Sequence, residues 1–207
     1  MKKAILSVMF LMIGIGCFAQ KSGIILGITD GHLGRHTGYQ WVGEGISPET
    51  QWTPGIGLNL GYQFNFRLSE RFFVDASVLG KVVQGEIKSF NMVGNQIKSW
   101  TDKGWIWGAS LNGTINYRIY SGLYTGIGVE PTYYLKTNKL RENSNKQLLD
   151  FPLVFAIGYE FRNGMKLSAS YKHGFKSLYE NSYTNNSKSN REIGVSLFIP
   201  ILSLIHI

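Results

Sequence analysis

Two neighbouring stretches of the chain alternate apolar and polar residues over unusually long distances. From Gly104 to Ile119, odd-numbered positions are mostly apolar or aromatic, and most even-numbered positions hold glycine, hydroxyl, amide or charged residues. The pattern resumes from Leu123 to Leu135, after a short turn around Tyr120-Ser121-Gly122. Because successive side chains of a strand point to opposite faces, each stretch predicts a long strand with one apolar face. Strands in soluble domains average about 5–6 residues, whereas a strand that crosses a bilayer in a β-barrel needs about 9–11.

The same alternation recurs along the chain and predicts eight strands: Ser22–Thr29, Gly55–Phe66, Phe72 to about Lys88, Gly104–Ile119, Leu123–Leu135, Phe151–Phe161, Met165–Phe175 and Arg191 to Ile201. Short turns follow the second, fourth and sixth strands, and the Asn163-Gly164 pair suits the positive φ angles of a two-residue hairpin turn. Long connections are predicted elsewhere: Asp30–Thr53, Ser89–Lys103, Thr137–Asp150 and Leu178–Asn190. This layout predicts an all-β fold, an eight-stranded antiparallel up-and-down transmembrane β-barrel with the short turns in the periplasm.

The first residues have the pattern of an export signal. Lys2 and Lys3 precede an apolar run, Ala4–Gly16, and Cys17-Phe18-Ala19 forms a small-x-small cleavage site. We predict a signal peptide over residues 1–19 and a single barrel domain over residues 20–207. The alternative is a lipoprotein signal with Cys17 acylated, for which Gly14 is a poor match three positions upstream.

Composition supports a wall that faces lipid. Charged residues make up 16% of the chain and aromatic residues 14%, against about 25% charged in an average soluble protein. The formal net charge is +8, but Lys and Arg are scattered without a basic run. We therefore predict no binding of nucleic acid.

A soluble barrel of the lipocalin type would alternate in the same way, with the apolar set inside. Glycine, which relieves crowding in a narrow bore, is concentrated in the polar set: Gly27, Gly57, Gly61, Gly108, Gly126, Gly128, Gly158, Gly174 and Gly194. The apolar set holds more rings than an eight-stranded bore can accommodate: Tyr62, Phe64, Phe66, Trp105, Trp107, Tyr117, Phe155, Tyr159 and Phe161. We therefore expect the apolar set to face lipid, with aromatic girdles at both interfaces.

This orientation places seven charged residues in the lumen: Asp75, Lys81, Arg118, Glu130, Glu160, Lys172 and Glu192. Buried charges without bulk water must find partners. We predict that they form an ion-pair network in a lumen filled by side chains, and that the barrel is not an open pore.

The whole predicted mature chain resembles the small eight-stranded outer-membrane β-barrel proteins of Gram-negative bacteria, of the OmpX and OmpA-barrel type. The signal sequence ending at Ala19-Gln20 and the glycine-rich strands are similar to an outer-membrane β-barrel domain common in Bacteroidetes. The resemblance rests on architecture. It implies a location in the outer membrane, and outer-membrane lipid and lipopolysaccharide as partners.

Three candidate sites lie outside the lumen charges. Strand seven contains Ser168, Ser170 and His173, but alternation separates the serines from the histidine, so we predict no hydrolase triad. His32 and His36 lie four residues apart in a glycine-rich connection that disfavours a helix, so we predict neither a metal site nor a cofactor. The same connection offers a candidate binding surface, whose residues are Arg35, Tyr39, Trp41 and Trp52. Its alternative role is to cover the barrel mouth or rest at the lipid headgroups.

These features lead to three hypotheses. The first is a non-enzymatic, monomeric outer-membrane barrel whose loops serve envelope integrity, adhesion or the binding of an extracellular ligand or envelope protein. The second is a component of an outer-membrane secretion or assembly machine. The third and least favoured is a lipid A deacylase or acyltransferase.

Overall fold

The computed structural model describes residues 21–32, 41–42, 45–46, 50–53, 55–93, 96–135, 149–175 and 191–203. The predicted signal peptide and the predicted connection Leu178–Asn190 lie outside these residues. The strands are β1 (Lys21–His32), β2 (Trp41–Val42), β3 (Gly45–Ile46), β4 (Thr50–Thr53), β5 (Gly55–Arg67), β6 (Phe72–Val93), β7 (Gln96–Tyr120), β8 (Leu123–Val129), β9 (Thr132–Tyr134), β10 (Leu149–Asp150), β11 (Leu153–Glu160), β12 (Lys166–His173) and β13 (Arg191–Ser203). Among the described residues, no helix is long and apolar enough to cross a bilayer.

The main sheet closes on itself, because β1 pairs with β5 on one side and with β13 on the other. Every neighbouring pair is antiparallel. The eight positions around the wall are β1, β4 with β5, β6, β7, β8 with β9, β10 with β11, β12 and β13. The predicted eight-stranded antiparallel up-and-down barrel is therefore confirmed.

Side chains on the wall divide as the alternation predicts. Trp107 and Phe155 point outward, with exposed fractions of 55% and 46%. Charged, amide and hydroxyl side chains of the same strands are buried inside. Phe64 lies on the outer face by alternation but is only 9% exposed. The ring of Tyr62 packs edge-on against it, with the ring centroids 5.1 Å apart. The barrel thus has an apolar exterior, and its interior combines polar and charged side chains with several apolar ones, among them Phe73, Leu79, Ile106, Val154 and Phe198.

The predicted connection Ser89–Lys103 is wrong, because these residues continue β6 and β7. The two strands stay in register from Phe72 opposite Tyr117 to Val93 opposite Gln96, so their backbone groups satisfy one another far past the barrel wall. The signal for this extension was the Gly94-Asn95 pair, a two-residue turn sequence.

The first and third long connections are also shorter than predicted. β1 runs on to His32, three residues beyond the predicted end, and β4 pairs with β6 so that Trp52 lies opposite Ile87. Leu149 and Asp150, predicted as loop, form β10 and pair with β9. In each case hydrogen bonds to the backbone of a neighbouring strand extend the strand. The alternation of residues along a single strand does not predict this pairing.

The turn between β11 and β12 consists of Arg162, Asn163 and Gly164, but it is not the two-residue type in which both Asn163 and Gly164 have positive φ angles. The amide of Gly164 donates to the carbonyl of Phe161 (2.9 Å), and the amide of Phe161 donates to the carbonyl of Met165 (2.8 Å). Gly164 has a φ of +85°, whereas Asn163 keeps a negative φ. This is a type I turn closed by a glycine bulge, so only one residue needs the left-handed conformation.

The turn between β7 and β8 is the two-residue type, with positive φ angles of 30° at Ser121 and 94° at Gly122. A Cβ on Gly122 would meet the carbonyl oxygen of Glu160 and come within 3.2 Å of the Tyr159 ring. Because the backbone strain and the contact both oppose a side chain, we expect Gly122→Ala to lower the free energy of unfolding by about 1–3 kcal/mol. Urea titration of the folded barrel in detergent micelles measures this change.

Gly113 provides the matched control on the preceding strand. A Cβ there meets nothing within 4 Å, and its φ is not in the positive region. We expect Gly113→Ala to leave the unfolding midpoint unchanged or slightly raised. Equal losses at the two glycines would show that the turn conformation does not limit stability.

Candidate functional site

Four charged side chains from four parts of the wall meet in the lumen. Lys81 comes from β6, Glu130 from the break between β8 and β9, Lys172 from β12 and Glu192 from β13. Each is at most 5% exposed. We call these four residues the charge ring.

The charge ring is closed, and its charges alternate in sign. Lys81 Nζ lies 2.7 Å from Glu130 Oε1 and 2.8 Å from Glu192 Oε2. Lys172 Nζ lies 2.8 Å from Glu130 Oε2 and 2.6 Å from Glu192 Oε1. Asn112 Nδ2 adds a hydrogen bond of 2.9 Å to Glu130 Oε2. Two lysines and two glutamates make the group neutral, which is the condition under which buried charges are tolerated.

A local break in two strands positions Glu130. Proline has no backbone N–H, and Pro131 and Pro152 interrupt neighbouring strands next to one another. The Glu130 amide donates to the Pro152 carbonyl (3.0 Å), and the Pro131 carbonyl accepts from Leu111 (3.0 Å). The backbone is thereby satisfied through the break, and the Glu130 side chain is completely buried inside the barrel.

A second cluster surrounds Lys166 nearer the short turns. Lys166 Nζ lies 2.7 Å and 3.1 Å from the two carboxylate oxygens of Asp75. Asn65 and Asn116 donate to the same carboxylate at 2.8 Å and 3.1 Å. Three aromatic rings face the ammonium group, with centroids at 4.3 Å for Phe73, 5.8 Å for Tyr124 and 5.7 Å for Phe198. The cation is thus held by one ion pair and by ring faces.

A third cluster lies at the end of the barrel that carries the short turns. Lys21 Nζ lies 2.9 Å from Glu160 Oε1, and Arg118 contacts the other oxygen of the same carboxylate. Lys21 and Arg118 keep about a third of their side-chain surface exposed, so water reaches this cluster.

The seven predicted lumen residues all face inward, and the structure sorts them into three separate groups. Lys81, Glu130, Lys172 and Glu192 come together in the charge ring, whereas Asp75 pairs elsewhere and Arg118 meets Glu160 at the short-turn end. Lys166 and Lys21 are two further partners that the sequence pattern did not predict. Lys166 could have been found, because it shares the alternation of Lys172 on the same strand; Lys21 precedes the predicted first strand and gave no such signal.

Most of the remaining lumen is filled. A cavity of about 70 Å³, lined by both polar and apolar side chains, touches the charge ring and the Lys166 cluster. Thr29 Oγ1 and Asn59 Oδ1 line it without a protein partner, and its size suits a few water molecules. Lumen glycines make room for larger neighbours: a Cβ on Gly158 would lie 2.5 Å from the Tyr124 ring.

The serines and the histidine of β12 do not form a hydrolase triad, because they lie on opposite faces of the strand. Ser168 faces inward and shares a hydrogen bond of 2.8 Å with Ser196. His173 lies on the outer face, where its ring packs edge-on against Phe175 with the ring centroids 6.0 Å apart. Within the part of the chain that the structure describes, no three His, Cys, Asp or Glu residues are grouped to hold a metal ion.

The predicted loop surface is described only in part. Arg35 and Tyr39 lie outside the described residues, as does His36. Trp41 belongs to β2, which pairs with β3, and Trp52 belongs to β4 on the extended sheet. The backbone therefore places the two tryptophans in different sheets.

Solved structures of outer-membrane proteins align with most of this chain at low sequence identity. No protein-family model and no curated protein sequence matches it. The crystal structure of the outer membrane protein OprG from Pseudomonas aeruginosa aligns at 9% identity and a TM-score of 0.43, covering 88% of this chain and 94% of that one. The Yersinia pestis outer membrane protein Ail in a phospholipid nanodisc aligns at 13% identity and a TM-score of 0.37, covering 86% and 100%. The NanC porin aligns at 11% identity and a TM-score of 0.32, covering 83% and 98%.

Proposed function

We propose that the protein is an integral outer-membrane β-barrel without enzymatic activity. Its lumen is closed by side chains, and it presents its long connections at the cell surface for envelope integrity, adhesion or binding. The observation that supports this proposal best is the reversed distribution of polarity, with large apolar side chains outside and ion pairs inside.

The exterior fits a bilayer and not water. Exposed leucine, isoleucine, valine and aromatic side chains occur on all eight wall positions, whereas soluble monomers rarely expose apolar patches of more than a few hundred Å². Ten residues of about 3.3 Å each, tilted by about 40°, span roughly 25 Å, the height of the apolar band of such barrels. Phe72 and Tyr117 pack together beside the short turns, where an aromatic girdle would meet the headgroups.

The export pattern of residues 1–19 and the architectural resemblance to small outer-membrane barrels support the outer membrane of a Gram-negative cell as the destination. In that setting the short turns face the periplasm, and the chain contacts phospholipid and lipopolysaccharide as a monomer. Cell fractionation tests the location: the full chain should pellet with outer membranes, resist a carbonate wash and migrate faster on a gel when it is not boiled. A folded monomer in plain buffer would overturn the proposal.

The closed lumen leads to a prediction about conductance. Because the charge ring, the Lys166 cluster and the Glu160 cluster block the bore in turn, we expect no steady conductance of porin size from the purified protein in planar bilayers. A general porin recorded in the same bilayers is the positive control. Stable openings of porin size would contradict a lumen filled by side chains.

The enzymatic alternative is tested separately from the barrel. Mass spectrometry of lipid A from cells with and without the gene should give the same profile. A lost or gained acyl chain that follows the gene would replace the proposal with lipid A deacylation or acylation. Affinity purification in mild detergent tests the assembly-machine alternative, because a stable stoichiometric complex would favour it over a monomeric barrel.

A further inference from the structure

Three exposed arginines lie at the short-turn end of the barrel. Arg67 ends β5, Arg71 lies in the turn before β6, and Arg162 lies in the turn after β11. We call these three residues the arginine rim. Among the described residues, none of the three has an ion-pair partner, whereas the lumen cations of the three clusters are all paired.

Two of the three guanidinium groups are held in place. Arg67 Nε donates to the carbonyl of Ser69 at 3.3 Å. Arg71 Nη1 donates to the hydroxyl of Tyr117 at 3.2 Å, and the Tyr117 ring packs on Phe72 with the centroids 5.1 Å apart. Since tyrosine hydroxyls and aromatic girdles lie at the headgroup level of a membrane, Arg71 is positioned at that level and not in the open periplasm.

The local charge balance leaves the arginine rim positive. Two carboxylates lie at this end among the residues that the structure describes, those of Glu70 and Glu160. Glu160 is half-buried and already binds Lys21 and Arg118. Arg67 and Arg71 lie beside Glu70 at the turn between β5 and β6, whereas Arg162 lies at the turn between β11 and β12, on the opposite side of the barrel. The short-turn end therefore presents three exposed arginines, spread around its circumference, and one exposed carboxylate.

We propose that the arginine rim binds the phosphate groups of anionic phospholipids in the leaflet that surrounds the short turns. This inference rests on the proposed membrane insertion. Guanidinium groups present paired donors that match phosphate oxygens, and basic residues beside a membrane interface attract anionic lipid with about 1 kcal/mol each, which corresponds to a roughly fivefold preference. An acidic wall polymer is the other polyanion that such a surface could meet, but the Tyr117 contact favours a ligand at the headgroup level.

Native mass spectrometry of the full chain tests this proposal. The protein is released from micelles that contain equal amounts of phosphatidylglycerol and phosphatidylethanolamine, and the retained lipids are counted. We expect preferential retention of phosphatidylglycerol, a roughly fivefold loss of that preference in Arg71→Gln, and a loss of about tenfold or more when Arg67, Arg71 and Arg162 are all replaced by glutamine.

Arg191 provides the matched control at the opposite end of the barrel. It is exposed at the start of β13, so Arg191→Gln removes the same charge without touching the rim and should leave the preference unchanged. An equal loss in Arg191→Gln, no lipid preference in the unaltered protein, or rim-dependent binding to isolated peptidoglycan instead of phosphatidylglycerol would overturn the proposal.

A separate insertion assay with the same protein variants distinguishes failure of the lipid site from failure of the membrane barrel. Insertion into vesicles of phosphatidylcholine alone reports on the barrel, because it needs no anionic lipid. Insertion there without a phosphatidylglycerol preference rejects the lipid site alone. Failure to insert into any vesicle rejects the membrane barrel as well.

Discussion

Replacement of Lys81 by methionine should lower the free energy of unfolding by about 3–5 kcal/mol. Lys81 is 1% exposed and is paired with two carboxylates. Methionine fills a similar volume, so the loss comes from charge and not from a cavity. The ring would then hold Glu130 and Glu192 with only Lys172 between them, leaving one buried negative charge uncompensated. Urea titration followed by the fluorescence of the five tryptophans measures the change.

A second substitution distinguishes charge balance from the loss of a single contact. Adding Glu192→Gln to Lys81→Met leaves the Lys172–Glu130 pair, so we expect more than half of the lost stability to return. Lys21→Met at the water-exposed end is the control and should cost less than about 1 kcal/mol, because its side chain is 35% exposed. If the double variant is less stable than Lys81→Met by the full cost of Glu192→Gln alone, the four residues do not act as a coupled ring.

Leu111→Arg should destabilise the barrel in a bilayer by about 2–4 kcal/mol. Leu111 lies on the outer face in the middle part of β7 and is 58% exposed. In water a charged side chain at such an exposed position would be nearly neutral in its effect. In lipid it must be dehydrated or draw water into the apolar band. Equilibrium unfolding from phosphatidylcholine vesicles measures the cost.

Leu68→Arg is the control for Leu111→Arg, because it makes the same leucine-to-arginine change at a different position. It has a similar exposed fraction, 65%, but lies in the turn after β5, outside the apolar band. Leu68→Arg should therefore cost about 0–1 kcal/mol, the range for positions near the interface. A Leu111→Arg variant as stable as Leu68→Arg would indicate that water surrounds the wall and would remove the basis of the membrane assignment.

The wall of this protein was predictable because the side-chain period of a strand is two. If Trp105 and Trp107 lie on one face of their strand, Ile106 and Gly108 must lie on the other, whatever the neighbouring strands are. The same alternation places the glycines on the inner face. Their small size is needed there, because the Tyr124 ring occupies the space beside Gly158. The faces of Lys81 and Glu192 were fixed in this way before any pairing was known.

Pairing between strands could not be read from one strand at a time. Lys81 and Glu192 are 111 positions apart in sequence, and their contact depends on the stagger of strands around the closed sheet. The same limit explains the errors at strand ends. β6 and β7 extend past the barrel because each supplies partners for the other, and the three-residue turn at Gly164 follows from the register of β11 against β12.

The charge ring ties the charge balance of the interior to closure of the barrel. A sheet that still lacks its final strand, β13, would hold Lys81 and Lys172 around a single glutamate, with one ammonium group unmatched in the interior. Only docking of that strand on the first one delivers Glu192 and brings the inner charge to zero. A barrel without β13 therefore carries an electrostatic cost in its interior. The closed barrel is stabilised by these ion pairs as well as by the hydrogen bonds between β1 and β13.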